Sequence, residues 1–88
     1  MDGGLYLMDE PESALSYENQ YVLAVMIGEA VKRQCQFVIA THSPVISAIP
    51  QAVLYELDGA QTRQCSYEDL KNVSFLQLFL KRRDQMLP

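Results

Sequence analysis

An α/β fold built on a βαβ unit is what this sequence predicts, and three observations carry the prediction. Two short runs without polar alternation, Leu5-Tyr6-Leu7-Met8 and Gln36-Phe37-Val38-Ile39-Ala40, read as parallel strands covered on both faces. Between them, residues 17–34 carry apolar side chains at helical spacing. Both runs end in polar, chemistry-bearing residues: Asp9-Glu10-Pro11 after the first and Thr41-His42-Ser43-Pro44 after the second. A strand, a helix and a strand at this spacing cross over right-handed into a parallel sheet, and both polar ends then fall on the carboxyl edge, where open α/β sheets bind ligands.

Taken in order, Gly3-Gly4 and Pro11 bound the first strand at strand length. Asp9 and Glu10 sit where it leaves the sheet. Two adjacent carboxylates repel each other unless a cation or a proton-accepting role uses them. An octahedral magnesium ion takes one or two protein carboxylates, and Asp9 fits that task. Glu10 then fits the holding and deprotonation of an attacking water, a role worth about 10²–10⁴ in rate. The plainer alternative is that Asp-Glu-Pro is a solvated turn after a strand. Ser13-Ala14-Leu15-Ser16 is a short loop, with Ser16 placed to cap the helix, Glu18 at its positive end and Lys32-Arg33 at its negative end. Leu23, Met26, Ile27, Ala30 and Val31 form its expected buried stripe, with Met26 as core filler.

His42 is the chain's one histidine, and it ends the second strand. A lone histidine is more often structural than catalytic; its place beside the paired acids argues the other way. Ser43-Pro44 reads as an N-cap and first helical position of a short helix through about residue 47. Residues 52–57 form a third strand, Asp58-Gly59 a hairpin turn, and residues 61–65 an antiparallel return, with Thr62 and Arg63 on an exposed outer strand. Ser66 is placed to cap a final helix over residues 67–85, whose stripe is Leu70, Val73, Leu76 and Leu80, broadened by Phe75 and Phe79.

Composition narrows the function. Eighty-eight residues make one domain at most. The apolar share of 49% is ample for a core and more than so short a chain covers alone. A net charge of −4 argues against a surface devoted to nucleic acid or anionic lipid. Lys81-Arg82-Arg83 is read as complement to a helix C-terminus. Cys35 and Cys65 have neither metal-site spacing nor histidine neighbours, so reduced thiols are expected. The longest apolar run, residues 21–27, is too short to span a bilayer, so a cytoplasmic chain with no membrane partner is expected.

Taken together the motifs resemble a known superfamily. Leu5-Tyr6-Leu7-Met8-Asp9-Glu10 looks like the Walker B strand of ABC-type ATPases, Ser13-Ala14-Leu15-Ser16 like their D-loop, and Thr41-His42-Ser43-Pro44 like their switch histidine. Order and spacing of all three agree across nearly the whole chain. Ser43-Pro44 after the histidine looks more like the soluble RecF, SMC and overcoming-lysogenization-defect ATPases, including stand-alone AAA-annotated ones, than like transporter subunits. The resemblance implies a partial P-loop NTPase sheet, with Asp9 holding Mg²⁺, Glu10 polarising the hydrolytic water and His42 contacting the γ-phosphate of ATP. It also implies Ser13 and Ser16 near the interface of an ATP-sandwich dimer, although many D-loops end in aspartate where Ser16 stands. Nucleic acid enters as a partner only by family analogy.

Two parts of that pattern are missing. The glycines are Gly3, Gly4, Gly28 and Gly59, and no Gly-Lys pair occurs, so the chain has no Walker A loop; the LSGGQ-like signature is missing too. The expectation is the C-terminal half of a nucleotide-binding domain, truncated or split. It would hydrolyse ATP only when joined to a Walker A-bearing half, and it would self-associate through exposed strands in isolation. The competing expectation is a non-catalytic remnant that binds a partner through its open sheet edge.

Overall fold

The computed structural model describes residues 3–88, which divide into two compact units, the first running through Ala52 and the second Val53–Pro88. In the first, strand β1 (Leu5–Asp9), helix α1 (Tyr17–Lys32) and strand β2 (Gln36–Ala40) form the expected βαβ unit. β1 and β2 pair in parallel, with Leu5 opposite Gln36 and Asp9 opposite Ala40. Gly4, at φ +109, makes the entry into β1 and accepts from the Gln36 amide at 2.8 Å; a side chain here would be strained by that backbone angle. Tyr6 and Phe37 are cross-strand neighbours, and their rings stack at 5.2 Å.

Burial on both faces, expected from the unbroken apolar runs, is not what the strands have. Exposure alternates: Tyr6, Met8, Phe37 and Ile39 are half-buried, while Leu5, Leu7 and Val38 are 60%, 75% and 61% exposed. The unit holds one long helix, which packs against β2, and a single layer of helix covers one face of a sheet. The core is Ile27 of α1, Cys35 and Ile46.

Helix α1 begins as expected, the Ser16 hydroxyl accepting from the Asn19 amide at 3.1 Å. It ends two residues early: Gln34 turns left-handed at φ +72, and the Cys35 amide reaches back to the Ala30 carbonyl at 3.1 Å. The buried face differs from the expected stripe. Gln20 and Ile27 are buried with Leu23 and Ala30 partly so, whereas Met26 and Val31 lie exposed with Val22 and Val25. Apolar residues run around most of this helix, so periodicity alone does not choose the inward side. After β2, Pro44 and Val45 turn into a single 3₁₀ turn, Ile46–Ala48.

The second unit holds strands β3 (Leu54–Asp58) and β4 (Gln61–Cys65), paired antiparallel as their own two-stranded sheet, and helix α2 (Lys71–Met86). The register pairs Asp58 with Gln61, so the turn residues are Gly59-Ala60, one further on than expected. Gly59, at φ +60, takes the first central position, where a glycine lets the hairpin follow the strand twist. Ser66 does not cap α2. A 3₁₀ turn, Tyr67–Asp69, intervenes, and the α2 amide of Lys71 donates instead to Glu56 of β3 at 2.7 Å. The Lys71 ammonium lies 3.3 Å from Asp58, which ties the helix start to the hairpin a second time. Val73 is buried, Leu70, Leu76 and Phe79 are partly so, and Phe75 and Leu80 are exposed, with Phe75 and Phe79 stacked at 6.2 Å. The backbone breaks helical geometry at Arg82, inside the basic cluster. No helix among the described residues is long and apolar enough to cross a membrane.

Candidate functional site

The carboxyl end of the β1–β2 pair gathers the residues singled out by the sequence. Asp9 closes β1 opposite Ala40, and the ladder runs one bond further, from the Glu10 amide to the Ala40 carbonyl at 2.6 Å. Two residues past Ala40 stands His42. Its Nε2 lies 3.9 Å from Glu10 Oε1, with both side chains more than half exposed. The gap exceeds a direct hydrogen bond and suits an ion pair when the imidazole is protonated. A carboxylate and an imidazole at this separation, open to solvent, can take up and release a proton at the same spot.

Glu10 stands in an unusual conformation. Its φ is +47, a left-handed value that a side chain with a Cβ adopts at a cost of about 1–2 kcal/mol. It also precedes Pro11, whose ring restricts the residue before it. Strain of this kind persists where surrounding bonds over-determine it, and it concentrates at functional sites. Here the bonds are visible: the Glu10 carbonyl accepts from the Ser13 amide at 3.1 Å, and the Glu12 carbonyl from the Leu15 amide at 2.8 Å, so the loop is two tight turns in succession.

Ser13 and Ser16 are both exposed, and the Ser16 hydroxyl is engaged in capping α1. Asp9 is exposed at the strand end. Among the described residues no three or more His, Cys, Asp and Glu side chains converge as a metal cage. Asp9, the expected magnesium ligand, stands there as a single exposed carboxylate, and an octahedral magnesium ion takes one or two such groups and completes its shell with water and phosphate oxygens.

Glu12 and Thr41, which flank the singled-out residues in sequence but had no role assigned to them, and Gln20, which was passed over, hold the rim together. The Glu12 carboxylate accepts from the Thr41 hydroxyl at 2.6 Å through one oxygen and from the His42 amide at 3.0 Å through the other. Burial pushes the Glu12 carboxyl up, but the Thr41 hydroxyl, the backbone amides of Glu12 and His42 and the nearby imidazole outweigh it and hold the group below its ordinary value. Behind this lies a buried network. Ser43 Oγ donates to Gln20 Oε1 at 2.6 Å and accepts from the amides of Val45 and Ile46 at 3.1 and 3.0 Å, while Gln20 Nε2 donates to the Leu15 carbonyl at 3.1 Å. Ser43 is not the N-cap of the helical turn, which begins at Ile46 after Val45 and not at Pro44 as expected, but its hydroxyl holds the two amides that lead into that turn and also grips α1. Gln20 had a signal in the sequence: it is a polar residue on the same helical face as Leu23 and Ile27. Glu12 and Thr41 stand beside the expected site residues in sequence, but their pairing had no signal, since they are 29 residues apart.

No protein-family model matches this chain, and no curated protein matches it. The functional reading therefore rests on the motifs and on the geometry of the rim.

Proposed function

We propose that the first unit is the catalytic rim of an ABC-like, P-loop-type ATPase, and that it binds and hydrolyses Mg-ATP only when combined with polypeptide carrying a Walker A loop. The observation that supports this best is the convergence of Glu10 and His42 to 3.9 Å at the carboxyl end of a parallel strand pair. Within this reading Asp9 is the magnesium ligand, Glu10 holds and deprotonates the attacking water, and His42 contacts the γ-phosphate oxygens. Ser13 and Ser16 lie at the loop facing an ATP-sandwich partner. Bound magnesium supplies charge neutralisation at the phosphate oxygens. Phosphoryl transfer depends on positioning and electrostatics, and this chain lacks the Gly-Lys loop that cradles phosphates. The isolated chain is therefore expected to show no ATP turnover above buffer, and mixing or fusing it with a Walker A-bearing half is expected to create turnover. Persistent inactivity of a folded, nucleotide-bound complex of the two halves counts against the reading.

A second reading, a non-catalytic module that associates through its open sheet, is favoured by one observation. Leu5, Leu7 and Val38 lie exposed side by side on one face of β1 and β2, and each strand has one neighbour only among the described residues. Self-association in light scattering is expected, weakened by Leu7→Asp. A monomer at high concentration would remove the support for this second reading.

A further inference from the structure

We propose that Glu12 is a positioning residue, a carboxylate that fixes where the His42 imidazole stands relative to Glu10. The functional meaning of this assignment rests on the ATPase reading; its structural content does not. Beyond Ala40 the chain has left the strand ladder, and where the exposed imidazole stands depends on the bonds that hold the exit loop. Glu12 supplies such bonds at two successive residues, through the Thr41 hydroxyl and the His42 amide. The Thr41 hydroxyl, while donating to Glu12, accepts from the Ser43 amide at 3.0 Å, so the hold extends into the buried Ser43 network.

The position of Glu12 makes the arrangement specific. It lies two residues from Glu10, inside the turn closed by the Ser13 amide on the Glu10 carbonyl, and Pro11 between them has its φ fixed by its ring. The carboxylate that holds the His42 backbone and the carboxylate that faces the His42 ring therefore belong to one short, stiff segment. A small closed circuit results, from Glu10 through Pro11 and Glu12 to His42 and back across 3.9 Å to Glu10. The left-handed φ of Glu10 is the bend that lets the segment turn back toward the β2 exit loop.

His42 is the sole histidine, so its ring signal in a proton NMR spectrum is unambiguous. The readouts in the full 88-residue chain are the exchange rate of the His42 amide and the shift of its ring signal caused by Glu10→Gln. Loss of a charge-assisted hydrogen bond is expected to speed amide exchange about tenfold or more in Glu12→Ala. In that background the ring response to Glu10→Gln is expected to disappear, because the ring no longer stands opposite residue 10. Thr41→Val, which leaves the His42 amide bonded, is expected to give an intermediate loss. Unchanged exchange and ring response in folded Glu12→Ala would overturn the proposal, as would a lowered melting temperature with the ring response intact, the mark of a merely stabilising role. If Glu12→Ala does not fold, Glu12→Gln carries the test with the same two outcomes. None of these readouts uses nucleotide, so the positioning role stands or falls apart from ATP hydrolysis.

Discussion

Glu10→Gln, in the chain joined to a Walker A-bearing half, is expected to lower ATP turnover about 10²–10⁴-fold while leaving Mg-ATP binding in place. Glutamine keeps the length and shape of the side chain and still orients a water, but it cannot accept that water's proton. The loss should therefore fall on the chemical step, which single-turnover kinetics isolates from binding. Glu10→Gly provides a second, independent signature. Removing the Cβ relieves the left-handed strain at φ +47 and is expected to raise stability by about 1 kcal/mol in denaturant unfolding, while turnover is lost just as fully. A residue kept at a conformational cost and needed for turnover is the pattern of a functional site. Turnover by the glutamine variant at the unmodified rate would remove Glu10 from the mechanism.

Ser43→Ala is expected to be the most destabilising single-atom deletion in the first unit, costing about 2–4 kcal/mol. One hydroxyl makes three bonds here: it accepts from two backbone amides and donates to a glutamine that is itself buried. Removing it costs the hold on those two amides, about 1 kcal/mol, and leaves Gln20 Oε1 without this donor in a site shielded from water, about 1–3 kcal/mol more. Pairing Ser43→Ala with Gln20→Leu should cost less than the two changes summed, since each alone removes the same bond and strands its own partner. Urea unfolding measures all three. A Ser43→Ala loss below about 0.5 kcal/mol would mean that water replaces the hydroxyl and that the network is not dry.

The βαβ order, the Ser16 cap, the hairpin and the placing of Glu10 and His42 on one rim were legible because each follows from local pattern: run length, spacing, a capping residue, a turn glycine. Misreadings occurred where a choice depended on what lies across space. Met26 and Val31 looked as suited to the core as Ile27, and only packing selected the face. Ser66 looked as good a cap as Ser16, and the carboxylate of Glu56, fifteen residues before the Lys71 amide that it accepts from, took the place instead.

By itself the sequence determined the elements, their order and the edge at which the acids and the imidazole gather, since a strand's length and polar ending are written in consecutive residues. Only the tertiary structure decided which groups hold that edge. The bonds from Glu12 to Thr41 and His42, and from Gln20 to Ser43, join residues 23–30 positions apart, and no periodicity encodes a hydrogen bond that the fold must first bring within 3 Å. Tertiary structure also left Leu5 and Leu7 bare, because coverage of a strand depends on which layers pack over it and not on how apolar it is.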